Sequence, residues 1–144
     1  MIEKKVLLTI SSIQRFQMEE PETTKLVTEG EMRIDGDAVL LSYEETELTG
    51  LTGTRTSFCI GRDSVTLKRT GSIESKMTFV VGHEDHSLYD TGFGALMIAV
   101  RAEEICSDIG ENGGTLRVVY SIVIEEETAG MIEYRIEVRP KPSF

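Results

Sequence analysis

Between Val65 and Val100 the chain reads VTLKRTGSIESKMTFVVGHEDHSLYDTGFGALMIAV. Four extended runs alternate here with tight turns at Thr70-Gly71-Ser72, at Gly82-His83-Glu84-Asp85 and at Asp90-Thr91-Gly92-Phe93-Gly94. Runs this short, joined by connections this brief, give an antiparallel meander, because parallel strands need crossovers of a dozen residues or more. The same stretch holds an arginine, Arg69, where the apolar face of Val65 and Leu67 should continue, both histidines, and a phenylalanine, Phe93, flanked by glycines.

Upstream, Lys4 to Gln17 predicts a strand with Val6, Leu8 and Ile10 on one face, although Leu7 and Ile13 also place apolar groups on the other. Thr23 to Ile34 sets Leu26, Thr28, Met32 and Ile34 against Lys25, Glu29, Glu31 and Arg33. Asp35-Gly36-Asp37 is a hairpin signal, since glycine accepts the positive φ such turns demand. Ala38 to Glu44 returns, and after a longer loop from Glu45 to Gly53, Thr54 to Ile60 opposes Thr54, Thr56, Phe58 and Ile60 to Arg55, Ser57 and Cys59. Downstream, Ala95 to Cys106 begins as a strand and turns polar at Arg101, Glu103 and Glu104, so a helix competes there. Thr115 to Glu125 and Ile132 to Val138 alternate with period two throughout, and Pro140 and Pro142 predict the end of the ladder, with residues 140–144 a frayed tail.

About eight to ten short strands with turn signals between them predict an all-β domain spanning residues 1–144, either a sandwich or a barrel. Only Glu45 to Gly53 is long enough to cross between sheets, so a single antiparallel up-and-down barrel is the expectation. Closure also removes the exposed strand edges that invite aggregation.

With 15 Lys plus Arg against 25 Asp plus Glu, the net charge is -10. Such a field repels phosphate backbones and anionic lipid, so neither nucleic acid nor a membrane is an expected partner. No apolar run reaches membrane-spanning length and no signal peptide is recognisable, which predicts a cytoplasmic protein. Cys59 and Cys106 form no CxxC motif and are expected as reduced thiols packed like small hydrophobes.

His83-Glu84-Asp85-His86 offers metal-ligand residue types, but an extended chain would point the two imidazoles to opposite faces, and no other His or nearby Cys completes a site. A solvated turn is the expectation, and no metal or cofactor is predicted. No nucleophile elbow, catalytic triad or kinase signature appears, so no catalytic residue is assigned. Arg69 is the sharper feature. On an inward face its guanidinium must be paired or must meet a ligand, whereas at a strand end it would cap the barrel by binding carboxylates or carbonyls. Tyr43, Tyr120 and Tyr134 lie on apolar faces, and Tyr89 precedes the Gly-Phe-Gly turn. Together with Arg69 and Phe93 these tyrosines are the candidate lining of a polar-tipped pocket for a small apolar or amphipathic ligand. A barrel filled by side chains, acting through its surface as a monomer or homodimer, is the alternative.

Glu29-Gly30, Leu41-Ser42-Tyr43, Arg69-Thr70-Gly71, Met77-Thr78-Phe79, Tyr89-Asp90-Thr91-Gly92-Phe93-Gly94 and Gly114-Thr115-Leu116 leading to Tyr120 resemble, in order and spacing, the YwiB-like family of small bacterial proteins. The resemblance covers nearly the whole chain. It implies a calycin-type β-barrel shaped like a lipocalin, and it implies no biochemical activity. The chain departs from the family pattern at Gly92, where a proline is usual, and near Gly130-Met131, where an asparagine is frequent.

Overall fold

The computed structural model describes residues 2–16, 20–45, 52–72, 74–90, 95–124 and 127–141, and among these it leaves the side chains at 87–90, 95–97, 124 and 127 undescribed. The described residues form ten strands: β1 (Ile2–Phe16), β2 (Glu22–Asp35), β3 (Ala38–Glu44), β4 (Thr54–Ile60), β5 (Ser64–Gly71), β6 (Glu74–Val80), β7 (Glu84–Asp90), β8 (Ala95–Ser107), β9 (Gly114–Ile124) and β10 (Glu127–Pro140). Each pairs antiparallel with its sequence neighbours, and β1 closes the barrel on β10. No helix among them is long and apolar enough to cross a membrane.

Period-two patterning decides which side chains point inward. On β1 these are Val6, Leu8 and Ile10, on β4 Thr54, Thr56, Phe58 and Ile60, and on β10 Ile132, Ile136 and Val138, all buried. Gly36 adopts φ 63° in the β2–β3 hairpin, as its turn requires. The segment where a helix competed with a strand is β8. A register shift between Ala102 and Glu104 reverses the alternation. Glu103 and Glu104 are thereby exposed, where Glu103 accepts a hydrogen bond from Ser121 Oγ at 2.9 Å and Glu104 pairs with Arg117 at 2.6 Å.

Two sequence expectations need correction. Both cysteines are free, but both are exposed rather than packed, because Cys59 falls on the outward parity of β4 and Cys106 lies beyond the β8 bulge. The final strand also runs further than the prolines suggest. Pro140 lies opposite Val6, the Lys141 amide donates to the Lys5 carbonyl at 3.2 Å, and Lys141 Nζ reaches Glu29 at 2.8 Å. Residues 142–144 lie outside the described residues.

The sheet has two thin places. Between β6 and β7 only Glu74↔Asp90 and Ser75↔Tyr89 pair, and the Asp85 carboxylate accepts the Thr78 amide at 2.9 Å where ladder bonds stop. Between β2 and β3 the pairing ends at Glu31↔Ser42, so among the described residues the strand ladder of 22–30 is with β1 alone. Gly30 sits at that fork. A Cβ there would lie 2.6 Å from Leu8 Cδ1 and 2.7 Å from the Ser42 carbonyl oxygen.

Candidate functional site

The interior is filled along one half of its axis and hollow along the other. Val6, Leu8, Met32, Leu41, Phe58, Val65, Leu67, Phe79, Leu116, Val118 and Ile136 are buried and pack the first half solid. The second half holds a cavity of about 660 Å³, within the size range of small-molecule sites. Ile10, Leu26, Met77, Ile98, Ile122 and Ile132 give it an aliphatic wall. Its outer edge is polar, with Gln14 and the exposed Glu22, Thr24 and Lys25. Its lining includes residues of both β2 and β3.

The floor rests on the filled half. Tyr120 packs on Phe79 at 4.5 Å between ring centroids, and Tyr134 meets Phe58 edge to face at 6.0 Å. Arg69 reaches this floor from β5, and its Nη2 donates to the Tyr134 hydroxyl at 3.2 Å. Its Nε is shut off from the cavity and, among the described residues, has no hydrogen-bond partner. Ser75, directly across from Arg69 on β6, and Thr54, one diagonal away on β4, also bury hydroxyls without partners. Buried polar groups are nearly always satisfied, so three orphans on adjacent strands are unusual.

Electrostatics agree with this geometry. Burial opposes the Arg69 charge, but the Tyr134 hydroxyl, Tyr43 and the Glu45 carboxylate outweigh it, and the guanidinium is held more firmly protonated than usual. Burial first, then Glu45 and Tyr134, push the Tyr43 hydroxyl far above the ordinary tyrosine range, against a smaller opposing effect of Arg69. Tyr120 is raised in the same direction, chiefly by burial. Glu45 is itself buried and accepts from Thr56 Oγ1 at 2.7 Å and from the Tyr43 hydroxyl.

Of the residues singled out from sequence, Arg69, Tyr43, Tyr120 and Tyr134 converge on one cavity. Tyr89 lies in β7 opposite Ser75 and Leu96, with its side chain undescribed, and Phe93 lies outside the described residues. Sequence reasoning missed Glu45, Ser12, Thr24, Thr54 and Ser75. Parity was the available signal: Glu45 continues the Tyr43 face past the end of β3, and Ser12 continues the Ile10 face, where it shares a 2.6 Å hydrogen bond with Thr24. The histidine cluster lies elsewhere. His83 and His86 are exposed, with His86 Nε2 3.7 Å from Glu84 Oε2, and no three His, Cys, Asp or Glu among the described residues are grouped to hold a metal.

A profile of the family described as "Domain of unknown function (DUF1934)" matches residues 8–136. "Uncharacterized beta-barrel protein YwiB" of Bacillus subtilis (strain 168) is 26% identical over 106 residues, which cover 74% of this chain and 73% of that protein. The crystal structure of ywiB protein from Bacillus subtilis has a TM-score of 0.84 to this chain, covering 97% of it and 94% of the other at 22% identity. At that identity the likeness is one of fold.

Proposed function

The chain belongs to the family described as a domain of unknown function (DUF1934), and from that premise we propose that it is a cytoplasmic, calycin-like binding barrel. It holds one small amphipathic ligand in the hollow half of its interior. One observation carries this reading: an aliphatic-walled cavity of about 660 Å³ is lined at one place by a half-buried arginine, Arg69, together with Tyr43, Tyr120 and Tyr134. Side chains alone could have filled a narrow barrel. Here β1 runs from Val6 and Leu8, which are buried in the packed half, to Ser12 and Gln14, which line open space.

Native mass spectrometry of protein isolated gently from its own organism tests the proposal. A reproducible extra mass that disappears on denaturation is expected. Leu26→Trp, which places an indole in the cavity near its edge, should lower occupancy at least tenfold while circular dichroism stays that of a β-barrel. A bare mass in every preparation, with no uptake of an amphiphilic fluorescent probe, would sink the reading and leave an interaction barrel in its place.

A further inference from the structure

We infer that the ligand enters head first and that its head is a carboxylate, received by Arg69 at the floor while its apolar tail lies along the aliphatic wall. This rests on the binding-barrel reading above and adds the chemical class and the orientation.

The floor is rich in donors and poor in free acceptors. A guanidinium offers five N–H groups and accepts nothing. Arg69 lines the cavity, and one of its bonds goes to the Tyr134 oxygen, which leaves the Tyr134 proton to donate elsewhere. Glu45 is the acidic group of the floor, and its carboxylate already receives the Thr56 and Tyr43 hydroxyls. It also acts on Arg69 through space. An incoming group that complements this floor must bring acceptor oxygens, and a planar carboxylate matches the guanidinium fork with charge-assisted bonds.

Orientation follows from the order of surfaces. From Tyr120 and Tyr134 outward along β9 and β10, the lining passes to Ile122 and Ile132, with Gln14, Glu22 and Lys25 at the edge. A tail pointing inward would place methylenes against the guanidinium and strand the head among isoleucines, losing on both contacts. A head at the floor meets the arginine and lays the tail against the aliphatic wall.

Calorimetric titration of the full chain with decanoate, decanol, methyl decanoate and decyltrimethylammonium separates the two levels of the proposal. Decanoate should bind at least tenfold tighter than the alcohol or the ester, and the ammonium should bind weakest. Arg69→Met should abolish the preference for decanoate while keeping the alcohol's affinity. Glu45→Gln, which removes the like charge beside the head, should tighten decanoate several-fold and leave decanol unchanged, so the inference remains testable should Arg69→Met not fold. Equal affinity for acid, alcohol and ester, or a decanoate affinity indifferent to both substitutions, overturns the carboxylate while the amphiphile site stands. Failure of all four to bind overturns both.

Discussion

Tyr43 and Tyr120 are weak acids whose neutral forms the barrel protects, since burial penalises a phenolate far more than a phenol. Their folded values lie above the unfolded value of about 10, so above that pH the unfolded state has released protons that the folded state retains. Stability is therefore unaffected below about pH 10 and falls as pH rises beyond it, by about 1.4 kcal/mol per pH unit for each tyrosine. Urea midpoints at about pH 9 and about pH 11 check this. Tyr43→Phe, which removes one of the two buried phenols, should make the alkaline loss shallower. A midpoint that did not move between the two pH values would show that these hydroxyls ionise freely in the folded protein.

At this scale the sequence was only partly legible. Inward parity of Arg69 follows from Val65 and Leu67, and that of Tyr120 and Tyr134 from their apolar strand mates. The unsatisfied state of Nε was not legible, because the group that takes the neighbouring Nη2 is 65 residues away across the barrel. Ser75 and Thr54 carry small hydroxyls that suit an outer face as well as an inner one, so nothing in their own residue types marks them as orphans.

Among the elements, β2 is the one that parts early from a neighbour. It pairs with β1 from Ile34↔Ile2 to Glu22↔Gln14 but leaves β3 after Glu31↔Ser42, and Gly30 stands at the divergence. Gly30→Ala must push against a backbone oxygen as well as Leu8, so it should cost about 1–3 kcal/mol as an overpacked site. Gly110→Ala is the control. No atom lies within 4 Å of the Cβ it would add, and its φ is not positive, so its effect should stay within about 0.5 kcal/mol. Equal losses in the two variants, read from denaturant midpoints, would remove Gly30 from any part in the fork. Strand identity was readable here because Leu26, Met32 and Ile34 share one parity. The fork was not, since it depends on how far β3 continues beside β2. Asp85 is a similar case: in sequence it belongs to a polar turn, and in the fold its carboxylate substitutes for the missing ladder between β6 and β7.

The molecule as a whole is a barrel with two unlike halves, and β1 crosses both. From Val6 to Gln14 it is paired without a break to β10 on one side and β2 on the other, so its backbone bonding is the same throughout. Only the interior beneath it changes. Val6 and Leu8 press on a solid core, where full burial of an aliphatic side chain is worth about 1.5–3 kcal/mol, whereas Ser12 and Gln14 border the cavity. Local opening free energy follows buried apolar contact when hydrogen bonding is held constant. Amide hydrogen exchange should therefore show a gradient along the strand, with protection at Leu8 at least about tenfold, or 1.4 kcal/mol, above that at Ser12. On β10, Ile136 should likewise exceed Ile132. A ligand in the cavity replaces the missing contacts, so saturating binding should raise Ser12 and Ile132 and leave Leu8 and Ile136 nearly unchanged. Uniform protection along β1 in the empty protein would mean that the two halves open as one unit, and the hollow end would then owe its stability to the closed ladder rather than to what fills it.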